Sequence, residues 1–157
     1  MHKIQVFFEE EKNDAESNSV KTSIESDLEI KTGSLKIVNC YYINAELNEE
    51  ELHKVAGKLF ADPIVQKYSV DSEPEISFDW LIEVKLHSGV TDNIGNAAVI
   101  GVQDLIKRKF RENETIRASK KYFISGELEE KQIKRICTEM LANTLIESTE
   151  YKKSGKD

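Results

Sequence analysis

Little in this chain could cross-link it or lock its turns: 157 residues hold two cysteines, two prolines and seven glycines. Cys40 and Cys137 stand in non-equivalent surroundings, so the pattern excludes the disulfide framework of a small secreted domain and marks both as reduced core or near-core thiols. No apolar run approaches the ~20 residues that would span a bilayer. The chain passes from Met1-His-Lys-Ile4 directly into alternating apolar residues without a signal-peptide core, so a cytoplasmic protein with no membrane attachment is expected. An excess of positive charge is lacking too. The net charge of −7 argues against a nucleic-acid groove, because phosphate binding runs on clustered Lys and Arg. Proteins and small molecules are the expected partners.

Sites of common chemistry are also missing. There is no Gly-Lys-Ser/Thr phosphate loop and no GxGxxG. His2, His53 and His87 fall at unrelated spacings and form no metal-ligand set with the cysteines. A cysteine nucleophile needs a histidine beside it. Cys40 instead lies in a strand alternation and Cys137 on a helix stripe, which are structural positions.

What the chain does have is repetition. Residues 41–65 lie over residues 122–146 without a gap, at a spacing of 81 residues. Tyr41, Ile43, Glu46, Leu47, Glu49 and Ala61 recur unchanged, and Leu52, Val55, Leu59, Phe60 and Ile64 recur as Ile133, Ile136, Met140, Leu141 and Leu145. A duplication of this length implies two copies of one supersecondary unit. Either half alone would struggle to bury enough apolar surface, so the halves are expected to share an interface.

Each copy reads β-α-β-α-β. In copy one Ile4, Val6 and Phe8 alternate as a strand, and Val20, Ile24 and Leu28 follow at helical spacing. Leu35, Ile37, Tyr41, Ile43, Ala45 and Leu47 share one parity of a long extended segment broken at Asn39. About 13 residues there would reach ~40 Å, so a bulge or bend is expected at the break. Tyr42 and Phe123 place a ring on the opposite parity in both copies, so the second sheet face should be covered. A helix then starts at Asn48, and Asp62-Pro63 stops it. Asn143 takes the stop position in copy two, as a residue able to adopt a left-handed C′ conformation. Final strands are expected near 64–70 and 145–151. The boundaries are copy one 1–70, a polar connector 71–78, copy two 79–151 and a frayed polar tail 152–157. The first helices differ most: copy one is polar outside its stripe, whereas Ile94 to Val102 is apolar on nearly every side and should be buried all round.

Three segments could carry chemistry. Gly89-Val-Thr-Asp-Asn-Ile-Gly95 leads from strand to helix, where free amides could hold an anion, but Asp92 and Thr91 are ordinary capping residues. The basic run from Lys107 to Arg111 closes a helix and reads as a solvated end or a dock for an acidic partner face. Val99, Ile100, Lys107, Arg108 and Lys109 are the candidate partner interface. Glu46 and Glu127 recur before the second helix. Identical surroundings give no sign of opposed pKa environments, so they read as turn residues unless they converge in one cleft.

Met140-Leu-Ala-Asn-Thr-Leu-Ile-Glu147, with the strand and helix before it, resembles the closing segment of the PurS-type small subunit of phosphoribosylformylglycinamidine synthase. Phe60 to Gln66, Phe78 to Val84 and Gly89 to Gly95 resemble the amino-terminal region of long-form versions of that enzyme, in which two PurS-like units are fused in tandem. Copy one departs from the pattern where Ser17 replaces the glycine matched by Gly95. The resemblance implies a ferredoxin-like α+β fold, packed as a segment-exchanged pseudo-dimer with antiparallel sheets and helices on the faces. It implies a non-catalytic scaffold in purine synthesis that joins a PurL-type synthetase to a PurQ-type glutaminase and helps ammonia pass between them. ATP, Mg and glutamine would be used by those partners, with no catalytic residue, metal or cofactor on this chain. A homo-oligomer is possible under either reading. The rival reading is a stand-alone ferredoxin-like regulatory module that binds a small metabolite.

Overall fold

The computed structural model describes residues 1–155. The elements run β1 (His2–Phe8), α1 (Ala15–Asp27), β2 (Leu35–Asn44), α2 (Glu49–Val55), β3 (Gln66–Val70), β4 (Trp80–Leu86), α3 (Asn93–Ile106), β5 (Thr115–Ile124), α4 (Glu130–Ile136) and β6 (Glu147–Lys153). This is β-α-β-α-β twice, an α+β chain with four helices and an antiparallel six-stranded sheet of order β3-β1-β2-β5-β4-β6, consistent with a ferredoxin-like arrangement. Strand register repeats along with element order. Ile4 faces Val70 across β1 and β3, and their counterparts Ile82 and Tyr151 face each other across β4 and β6. Both second helices finish in a π turn, Ala56–Phe60 and Cys137–Leu141.

The chain packs into two compact units, and neither coincides with a copy. Unit 1 comprises Met1–Glu9, Asn39–Pro74 and Thr91–Ser119, and unit 2 comprises Glu10–Val38, Glu75–Val90 and the described residues from Lys120 onward. The core of unit 1 sets Ile4, Val6, Ile43, Leu52 and Val55 against Ala98 and Val102 of α3. The core of unit 2 sets Trp80, Ile82, Ile124, Ile133 and Ile136 against Ile24 and Leu28, contributed by α1 and its C-cap. Val102 and Ile24 are fully buried, each worth about 1.5–3 kcal/mol in apolar surface removed from water. The second sheet face is covered as its aromatic parity suggested. Gln5, Cys40 and Phe123 are buried; in unit 1 Gln5 Nε2 donates to the Ser72 carbonyl, and in unit 2 Phe78 meets Phe123 edge-on.

Each first helix is latched to a strand by its capping carboxylate. In unit 1, Asp92 Oδ1 accepts from the Gly95 amide at 2.7 Å and Oδ2 accepts from the Ala118 amide of β5 at 2.8 Å. In unit 2, Asp14 accepts from the Ser17 amide and hydroxyl, and the Ile37 amide of β2 donates to Ser17 Oγ at 2.9 Å. The serine therefore relays a bond that Asp92 makes directly. Gly95 permits the direct version because a Cβ there would lie 2.3 Å from the Ile116 carbonyl oxygen, too close for any side chain.

Several expectations need correction. β2 and β5 are uninterrupted ten-residue strands rather than ~13-residue ones with a break. β3 starts at Gln66, and β6 runs through Lys152 and Lys153, which pair with Leu81 and Trp80, so the tail is not frayed there; residues 156–157 lie outside the described residues. Asn143 is not left-handed. Its Oδ1 accepts from the Leu145 amide, as Asp62 Oδ1 does from Ile64, so a side-chain turn replaces the expected C′ stop. Helix α3 is not buried all round: Ile94 and Ile100 are 59% and 62% exposed.

The latch generates a test. Gly95→Ala should destabilise the chain by about 1–3 kcal/mol, since backbone must move to admit the methyl group. Ser17→Ala should cost about 1–3 kcal/mol by stranding the buried Ile37 amide. Urea unfolding measures both, and a wild-type midpoint for Gly95→Ala would contradict the close approach.

Candidate functional site

The loops around β2 and α3 of unit 1 enclose an open cleft of 650 Å³ lined by His2, Asn44, Glu46, Asn48, Arg111 and Glu114 among others. One wall is set by the start of α2. Asn48 Oδ1 accepts from the Glu51 amide, and Glu51 returns a bond to the Asn48 amide, a reciprocal cap that fixes the approach from β2. The other wall is the connection from α3 to β5. Lys107 caps α3 at φ 59°, the left-handed region, which turns the chain back across the helix end. Gln103 Oε1 then accepts from the Phe110 amide at 2.6 Å and anchors the returning loop.

Glu114 joins the two walls. Its carboxylate accepts from the Arg108 guanidinium at 2.7 and 3.2 Å, from the Arg111 amide at 2.8 Å and from the Glu46 amide at 2.8 Å. Arg108 also donates to the Glu46 carbonyl at 2.9 Å. Only 6% of the Glu114 side chain is exposed, so these donors take the place of water. The Arg108 hydrogen bonds, followed by those of the Arg111 and Glu46 amides, hold its carboxyl down at about 2. A carboxylate so held stays anionic at neutral pH and acts as a clamp rather than a proton shuttle. The corresponding corner of unit 2 has no such cluster: Gly33 and Ser34 donate their amides to the Ser125 carbonyl and hydroxyl.

The proposed interface residues separate into two sets. Val99 is half-buried against the core of unit 1, and Arg108 is turned inward onto Glu114. Ile100, Lys107 and Lys109 are exposed. Asp92 caps α3 as the capping reading expected. Glu46 pairs with Arg111 at 3.1 Å in unit 1, whereas Glu127 is exposed in unit 2, so neither unit holds both carboxylates. Cys40 and Cys137 are buried, and burial pushes the Cys137 thiol up, away from nucleophile character. His2 pairs with Asp71, His53 with the Tyr68 hydroxyl and His87 with the Thr144 carbonyl. Among the described residues no group of three His, Cys, Asp or Glu is placed to hold a metal.

Sequence reasoning missed Glu114. A signal for it existed, because the helix N-caps are 78 residues apart but the strand amides they latch are 81 apart. Copy two therefore carries three more residues between helix and strand, in the stretch that holds Arg108 and Glu114.

Residues 80–155 match the sequence model of a family described as PurS: Phosphoribosylformylglycinamidine (FGAM) synthase. The match starts at β4 and runs past the end of β6. No curated protein matches the chain. Among the described residues no helix is long and apolar enough to cross a membrane.

Two measurements check the clamp. The folded Glu114 carboxyl lies below its ordinary value of 4.5, so its contribution is complete above that pH and fades as pH falls toward 2. Stability of the wild type should drop across that window more steeply than that of Glu114→Gln, and parallel acid-unfolding curves would refute the assignment. Lys107→Gly should stabilise the chain by about 0.5–1 kcal/mol, because glycine removes the left-handed penalty at a modest entropic cost; calorimetric melting reads the change.

Proposed function

We propose that the whole chain, of which residues 80–155 match the PurS family of the FGAM synthase, is a tandem PurS-like pair and a non-catalytic scaffold of that enzyme of purine biosynthesis. It holds an ATP-using synthetase and a glutaminase together and so supports ammonia transfer between them. The observation that carries this reading is the PurS match to copy two, extended to copy one by its element order, strand register and latching caps. The composition of the compact units supports a segment-exchanged pseudo-dimer. Helix α1 of copy one packs in unit 2, and helix α3 of copy two packs in unit 1. Catalysis, ATP, Mg and glutamine belong on this reading to the partners.

The cleft of unit 1 favours a second reading, a regulatory module that takes a small polar metabolite, since Asn44, Asn48, Glu46 and Arg111 present hydrogen-bonding groups there. Calorimetry with formylglycinamide ribonucleotide, ADP and glutamine separates the two. The scaffold reading expects no tight binding by the isolated chain.

Reconstitution is the direct test. The chain alone should form no FGAM, and synthetase supplied with ammonia should work without it. Glutamine-dependent synthesis by synthetase and glutaminase together should require it, by tenfold or more on the order of what effective concentration supplies. A glutamine-dependent rate indifferent to the chain would reject the proposal.

A further inference from the structure

A single buried carboxylate holds two oppositely charged residues beside the cleft of unit 1. Glu114 accepts from the Glu46 amide and from the Arg111 amide, each at 2.8 Å, so one group fixes both backbones. The two side chains are not so restrained. Both line the cleft, where the Arg111 guanidinium donates to Glu46 Oε2 at 3.1 Å, and 81% of the Glu46 side chain and 64% of the Arg111 side chain are exposed. An ion pair this open contributes little to stability, because water screens the charges and two long side chains lose freedom in meeting. The pair can part for a ligand at small cost while its backbone frame stays set.

The charges beside the cleft select the kind of ligand. Glu114 directs its charge into the wall, toward Arg108 and the two amides, so Glu46 and Arg111 are the carboxylate and the guanidinium left open to water. Met1 and His2 also line the cleft, and beside them stands Asp71, whose Oδ2 pairs with His2 Nδ1 at 2.8 Å; that side has its own acid and base. A phosphate would meet Arg111 but also Glu46, on a chain of net charge −7, and an amine would meet Glu46 but also Arg111. A ligand with one charge of each sign satisfies both. Since the two side chains touch, its charges must be adjacent too. An α-amino acid carries ammonium and carboxylate on one carbon, whereas the two ends of a peptide lie further apart and a quaternary ammonium has no N–H to give Glu46. Asn44, Asn48 and Asn113 add neutral amides to the lining, which suit an uncharged polar side chain on the ligand.

We propose that the cleft of unit 1 binds a free α-amino acid with an uncharged polar side chain, Arg111 holding its carboxylate and Glu46 its ammonium group. The ligand replaces one exposed ion pair with two charge-assisted contacts, and Glu114 keeps both residues in place as it does so. This rests on the second reading above, a cleft that takes a small polar metabolite, and names the class of that metabolite. It is independent of the scaffold reading, because so small a ligand in an open cleft binds in the millimolar range and not tightly.

The probes are L-asparagine, L-glutamine and L-serine, titrated into the full chain under amide-resolved NMR. At least one should shift the Glu46 and Arg111 resonances and saturate with a Kd on the order of 1 mM. The α-amide of that amino acid, which lacks the carboxylate, and its N-acetyl form, which lacks the ammonium group, should each bind about tenfold more weakly or worse. Glu46→Gln and Arg111→Gln should cause the same loss with unchanged circular dichroism, while Glu127→Gln in unit 2 should leave the affinity as it was. Equal binding of either blocked analogue overturns the proposal, as do shifts that map away from the cleft. If none of the three amino acids binds but formylglycinamide ribonucleotide or ADP shifts the same resonances, the proposal fails and the metabolite reading of the cleft stands. If nothing binds, both fail together and the scaffold reading is left to its own reconstitution test.

Discussion

Each core of this chain draws residues from both halves of the sequence. β1 and α2 of copy one bury Ile4, Val6, Leu52 and Val55 against Ala98 and Val102, which come from copy two. β4 and α4 of copy two bury Trp80, Ile82, Ile133 and Ile136 against Ile24 and Leu28 from copy one. A half of this size is near the lower limit for independent stability, and removing the borrowed helix would leave an apolar sheet face in water.

The repeat also shows which features the fold dictates and which it leaves open. A carboxylate at the helix start must reach a strand amide; Asp92 does so directly and Asp14 does so through the Ser17 hydroxyl. A loop must close the corner beside the second helix; Glu114 and Arg108 do it with charge, Gly33 and Ser125 with backbone. In both cases different residues meet the same geometric need.

Much of this could be read from the sequence because it rests on local periodicity. The alternation of Ile4, Val6 and Phe8, the stripe Val20, Ile24, Leu28 and the cap at Asn48 all reappear as elements. Ends were harder: π turns and the Asp62 and Asn143 side-chain turns delay β3 and β6, and none of these has a strong composition cue. The resemblance of copy two to PurS was legible and the family match agrees with it. Of the candidate interface, Ile100, Lys107 and Lys109 are exposed, and Arg108 is partly exposed and pairs with Glu114. Its partner Glu114 lies six residues on in an irregular loop, a spacing no helical or strand pattern announces.

The borrowed helices also set a timetable for synthesis. β1 pairs with β2 and β3 of its own copy, yet its core neighbours include residues as late as Ile116, so the core around it cannot be completed until the chain has been made to that point. At the usual pace of translation that wait is on the order of ten seconds. Through that interval the nascent sheet of β1, β2 and β3 carries apolar surface that the later helix α3 will cover, the kind of transient exposure that holding chaperones exist to shield.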